Sequence, residues 1–174
     1  MMMRIPSRAP ILFVALVLLC GWLVVESGLR FNFTRSLPRG IYREVDKRID
    51  RGRIALVCLP ESVAAQALER GYLRRGSCPS GVEPVGKIVV AVPGDLVGID
   101  DQGVQVNGEL LAQTEPQPMD SGGRPLPRLS LDPVALAPGQ VIVIAPHPRS
   151  FDSRYFGSIS TSQIIAVVHP WVTW

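Results

Sequence analysis

Two lysines stand against sixteen arginines in this 174-residue chain, and one of them, Lys87, interrupts the apolar run Val85-Gly86-Lys87-Ile88-Val89-Val90-Ala91-Val92. An amine held in a low-dielectric strand loses affinity for its proton, whereas a guanidinium stays charged, so lysine is the basic side chain that can serve as a buried base. The ordinary alternative is an edge-strand lysine whose stem lies on apolar surface while its ammonium reaches water. Ser36 is the candidate partner, in the turn Ser36-Leu37-Pro38-Arg39-Gly40, where proline can fix the angle of the hydroxyl. A serine hydroxyl is a weak nucleophile near neutral pH. A neutral lysine can take its proton during attack on a carbonyl and return it to the departing amine. That chemistry is acyl transfer, and it needs neither histidine nor aspartate.

A Ser36/His147/Asp152 triad is the rival arrangement, but it leaves a lysine in an apolar strand without a purpose. With only two histidines, His147 and His169, and no metal-ligand spacing, no metal site and no cofactor are expected.

These side chains need a rigid frame. Short β-branched runs bounded by Gly and Pro occur at 54–59, 88–92, 96–99, 104–106, 141–145 and 164–169, and turn pairs such as Asn107-Gly108 predict antiparallel hairpins. One short helix is expected over 61–70, where Val63, Ala64, Ala67 and Leu68 share a face and Gly71 can end it. Residues 115–127 contain four prolines and two glycines and read as an irregular surface loop. The fold class is therefore mainly β, with one short helix.

Residues 9–25 carry no charge, follow Arg4 and Arg8, and precede Glu26, so they are expected to form an N-terminal transmembrane helix. A signal-peptide core is the alternative, because the stretch is short. The basic N-terminus favours a cytoplasmic segment 1–8, with 27–174 forming an exported domain that faces outward. Cys58 and Cys78 would then lie where a disulfide can persist, although a buried free thiol at Cys58 is equally open. The net charge of +3 comes from scattered arginines without aromatic interleaving, which gives no support for nucleic-acid binding. The basic stretch 30–53 is placed to meet lipid head groups, and Trp22, Trp171 and Trp174 to sit at a membrane interface; Trp171 and Trp174 could instead close the core.

The residues together resemble the type I signal peptidase family, S26-like peptidases that use a serine and a lysine to cut exported proteins beside the membrane. Ser36-Leu37-Pro38 is similar to the family's nucleophile segment, and Arg51-Gly52-Arg53-Ile54-Ala55-Leu56-Val57 to the strand that follows it. Lys87 with Pro93-Gly94-Asp95 is similar to its lysine segment, and Ser150-Phe151-Asp152-Ser153-Arg154-Tyr155-Phe156-Gly157 to its last segment. The resemblance spans 33–170 behind the anchor, in the family's order. It departs at Ala145-Pro146-His147-Pro148-Arg149, where a Gly-Asp-Asn-Arg run is common, and at Ile88, where arginine is frequent.

The resemblance implies a signal-peptidase-like antiparallel β domain, with Ser36 as nucleophile and Lys87 as general base. It implies that Ser150 orients the lysine amine, that Asp152 and Arg154 brace the loop, and that Thr34 can offer a hydroxyl to an oxyanion. An incoming amine guided by Asp152 is a second possibility. Compact size and the Ser-Leu-Pro-Arg-Gly-Ile-Tyr opening resemble the family's conjugation branch, which implies a pilin precursor as substrate, cyclised through a Ser36 acyl-enzyme, and possible conjugation-system components as partners. Inner-membrane lipids are the remaining expected partner. A general signal peptidase and a non-catalytic assembly component of a pilus or secretion complex are the alternatives.

Overall fold

The computed structural model of the protein describes residues 9–34 and 36–174. The chain opens with helix α1 (Ala9–Glu26), which coincides with the expected apolar segment. Among the described residues no helix is long and apolar enough to cross a membrane, so the structure supplies the helix and not the span. Arg4 and Arg8, with the expected cytoplasmic segment 1–8, lie outside the described residues, as does the side chain of Trp22.

Strands β1 (Leu29–Asn32), β2 (Gly40–Val45) and β3 (Ile54–Val57) lead to helix α2 (Glu61–Glu69). The helix forms where expected: Ala64 and Ala67 are buried, Val63 and Leu68 pack beside them, and Gly71 follows with a φ of 71° that favours glycine. Then come β4 (Val85–Ala91), β5 (Leu96–Asp100), β6 (Gly103–Val106) and β7 (Glu109–Leu110). Asn107 and Gly108 both adopt positive φ between β6 and β7, the geometry of a two-residue hairpin turn. After the loop 115–127 the chain adds β8 (Leu131–Ala135), β9 (Gln140–Ile144), α3 (Ser153–Phe156), β10 (Ile159–Ser160) and β11 (Ile164–Thr173).

These strands build two antiparallel sheets. The larger has the order β1-β2-β11-β3-β4-β9-β10, and the smaller β7-β6-β5-β8. β8 eluded the sequence reading because Pro133 interrupts it; at the outer edge of the small sheet a missing N–H is tolerated. The basic stretch 30–53 also holds structure that composition did not announce. It forms β1 and β2, and its Arg30 and Arg53 are paired with Glu44 and Asp46 of the chain itself.

One buried cluster, containing Ala55, Val57, Val89 and Val143, lies between the large sheet and α2, and a second joins β5 and β6 to Ile142 and Ile144. Cys58 and Cys78 form a disulfide at the rim of the first cluster, which ties the α2 segment back to β3 and replaces the free thiol that was the other option. A third cluster, Leu37, Tyr42, Ala166 and Val168, seats the turn that carries Ser36.

Candidate active site

Lys87 is not an edge residue. β4 lies between β3 and β9, so both of its backbone edges are paired, and the alternation along β4 turns Lys87 inward with Val89 and Ala91. Its side chain is 3% exposed. Burial lowers its pKa from 10.5 to about 8; the Asp152 charge opposes that shift and Arg154 adds to it. At pH 7 about a tenth of the amine is thus free of its proton.

The register explains the partner of this amine. Ile88 lies opposite Ile144, so the chain leaving β9 passes the lysine within a few residues. Ser150 is buried there, and the Lys87 Nζ donates to its Oγ at 2.5 Å. The loop before Ser150, where the sequence departs from the family's usual pattern, is a tight turn: His147 N–H donates to Ala145 O, Ser150 N–H to His147 O, and Arg149 N–H to His147 Nδ1.

Arg154 holds that turn from inside. Its guanidinium donates to the carbonyls of Gln113, Pro148, Ala145 and His147, and bridges both oxygens of Asp152 at 2.8 and 3.0 Å. Both residues are completely buried, so this is an interior ion pair with its hydrogen bonds filled and not a surface bridge. Asp152 also accepts from Ala145 N–H and from Arg154 N–H. Its oxygens are fully engaged and it does not line the cavity, so it braces the loop and reaches Lys87 by charge alone, without access to an incoming amine. His147 does not line the cavity either, which leaves the triad without a geometry.

Ser36 and Lys87 line one cavity of about 790 Å³, together with Ser150, Leu37 and Tyr42. Among the described residues the Ser36 hydroxyl has no hydrogen-bond partner, while Leu37 packs so closely on Gly86 that a Cβ there would lie 2.9 Å from its Cδ1. The serine turn is thereby set against the residue preceding Lys87. Its hold comes from residues the sequence reading missed. Asn32 donates through its amide to Leu37 O and Pro38 O and accepts the N–H and hydroxyl of Thr34, while the Tyr42 hydroxyl donates to Pro38 O. An asparagine two residues before a threonine is a recognisable turn-forming signal. Thr34 is exposed, and its hydroxyl proton is given to Asn32 Oδ1 at 2.7 Å, so it would have to leave Asn32 to meet an oxyanion.

Pro93-Gly94-Asp95 makes the turn after β4: Gly94 has a φ of 90° and the buried Asp95 carboxylate accepts from Val92 N–H, Asn107 and Arg51.

A family model described as signal peptidase, peptidase S26, matches residues 4–174. The chain belongs to this family. Among similar proteins, a plasmid transfer protein TraF of Escherichia coli is 39% identical over 150 residues, covering 85% of this chain and 85% of that protein. A conjugal transfer protein TraF of Agrobacterium tumefaciens (strain 15955) is 33% identical over 149 residues, covering 84% and 83%. A crystal structure of a signal peptidase I from Enterococcus faecalis V583 is similar over 72% of this chain and 100% of that chain, at 20% identity and a TM-score of 0.39. In this member of the S26 family the residues brought together around the cavity are Ser36, Lys87 and Ser150, with Asp152 and Arg154 behind them.

Proposed function

We propose that the chain is a serine peptidase with a Ser36/Lys87 dyad, acting on an exported pilin precursor in conjugal transfer. The observation that supports this most is a buried lysine, with its pKa lowered to about 8, in the cavity lined by Ser36, whose hydroxyl has no partner among the described residues. Neutral Lys87 takes the Ser36 proton as Oγ attacks the substrate carbonyl. The C–N bond then breaks, the proton passes to the leaving amine, and an ester on Ser36 remains. Attack by water returns a linear product. Attack by the substrate's own N-terminal amine, held in water's place, returns a cyclic peptide. The TraF relatives are named for plasmid and conjugal transfer, and the cyclising outcome rests on the resemblance of the serine segment to the family's conjugation branch.

Membrane attachment through α1 completes the proposal. Eighteen residues rise about 27 Å, a few ångströms short of a typical hydrocarbon core, so α1 is proposed to seat the chain in the membrane without the length for an unaided crossing. Phe31, Phe33, Trp171 and Trp174 are exposed beyond the helix, in keeping with a body seated on lipid, and the Cys58–Cys78 disulfide suits a periplasmic domain of an inner-membrane protein.

The test is to incubate the membrane-embedded protein with a pilin precursor from the same transfer system and weigh the product. Cyclisation gives a mass about 18 daltons, one water, below the trimmed linear peptide. A linear product from many unrelated exported precursors indicates a general signal peptidase. No processing by the wild-type protein, together with unimpaired conjugal transfer by Ser36→Ala, defeats the peptidase reading and leaves a non-catalytic assembly role.

A further inference from the structure

Most described arginines of this chain hold one of its own carboxylates, as Arg30 holds Glu44 and Arg124 holds Asp120. Arg74 and Arg149 differ. Both line the cavity of Ser36 and Lys87, both are exposed, and neither guanidinium lies within ion-pair distance of a carboxylate among the described residues.

Their placement is fixed by one aromatic contact. The rings of Tyr72 and Phe151 meet with centroids 5.2 Å apart. Arg74 follows Tyr72 by two residues and Arg149 precedes Phe151 by two, directly before Ser150. Two residues of extended chain reach about 7 Å, so the backbones of both arginines lie close to the Tyr72–Phe151 contact, and both residues line the same cavity. Both anchors are firm. Tyr72 donates to Asp120 at 2.6 Å, and the backbone of Arg149 is fixed by its hydrogen bond to His147.

The other charged groups lining the cavity do not cancel these two. Arg30 and Asp120 have partners of opposite sign, and Lys87 is buried on Ser150. Glu83 is the one lining carboxylate without an ion pair among the described residues; its Oε1 accepts the Arg74 N–H at 3.2 Å. An unoccupied guanidinium presents planar N–H donors that match a carboxylate better than any neutral group.

We propose that Arg74 and Arg149 are specificity-determining residues that take a carboxylate of the bound peptide, so the cavity selects an acidic segment near the bond that Ser36 handles. The carboxylate is either an Asp or Glu side chain or the free C-terminus of a short leaving peptide. This deepens the peptidase reading and rests on it for the direction of the peptide, but binding tests it separately.

The full-length Ser36→Ala protein in detergent micelles binds without cleaving, and fluorescein-labelled decapeptides with an uncharged core are the probes. One set walks a single Glu, or Gln as control, through the positions flanking the core; another compares a free C-terminus with a C-terminal amide. At one position Glu, or the free C-terminus, binds about tenfold tighter than its neutral counterpart. Arg74→Gln or Arg149→Gln removes most of that preference, with neutral peptides bound within about twofold of the parent. Loss of preference on amidation assigns the C-terminus, and loss on Glu to Gln assigns a side chain. No carboxylate preference in the parent, or a preference untouched by both substitutions, overturns the inference. Turnover of neutral peptides by wild type and its loss in Ser36→Ala report on the peptidase reading alone.

Discussion

The amine of Lys87 donates to the hydroxyl of Ser150 at 2.5 Å across 63 residues of chain, and both residues are buried at the wall of the cavity. Burial favours the neutral amine and the Asp152 charge the protonated one, and burial prevails: the pKa falls to about 8. A base in this balance sits close to working pH without being permanently neutral.

Turnover should therefore rise with pH along a single limb centred near 8, the value for the buried amine. Lys87→Met removes turnover at every pH. The same shift fixes the sign of a stability effect. The folded pKa lies below the unfolded one, so the protonated lysine burdens the fold fully below about 8 and progressively less as pH rises toward 10.5. That penalty is about 3 kcal/mol at pH 6 and about 1 kcal/mol at pH 10. Thermal melts of Lys87→Met should show a midpoint above wild type at pH 6, with a gap that narrows at pH 10.

Ser150→Ala should lower kcat by about 10- to 100-fold with little change in KM, the signature of a group that orients a base. Removing an acceptor from an ammonium disfavours the charged form, so the surviving pH limb moves to lower pH. A limb that stays in place, measured from full pH profiles, contradicts the role of this hydrogen bond.

Asp152→Asn leaves the Arg154 guanidinium buried without its counter-charge and should destabilise the fold by about 3–5 kcal/mol in urea unfolding. A double replacement, Asp152→Asn with Arg154→Met, removes the stranded charge and should recover part of that loss. Additive losses in the double variant would mean the two residues act independently.

Asn32→Ala frees the Thr34, Leu37 and Pro38 backbone groups that fix the Ser36 turn. Turnover should fall at least about tenfold, while stability drops by only about 1–2 kcal/mol, since the site is partly exposed. Reaction of Ser36 with an acylating inhibitor should slow in parallel.

Reduction of Cys58–Cys78 releases a segment whose ends lie 20 residues apart, which should lower stability by about 3 kcal/mol. Limited proteolysis after reduction should cut first between these cysteines, where α2 and Tyr72 lie. Equal resistance before and after reduction would show that packing alone holds this segment.

Residue types and local periodicity were enough to read the strands β3 to β6, β9 and β11, the helix α2, the turn at Asn107-Gly108 and the candidate pair Ser36 and Lys87. Each is a short-range property: β-branched alternation, an apolar face, a glycine at positive φ, or an amine where only hydrocarbon is expected. The strands β1, β2 and β8 were not legible, because arginines and a proline mask strands whose stability comes from a neighbour across the sheet. That Lys87 is interior and not at an edge was decided by the insertion of β4 between β3 and β9, a pairing between distant segments. The same holds for the complete burial of Asp152 and Arg154, the grip of Asn32 on the Ser36 turn and the two cavity arginines that no carboxylate among the described residues holds. Sequence names which groups can donate, accept or carry charge, whereas their access to water and to each other depends on what the rest of the chain packs around them.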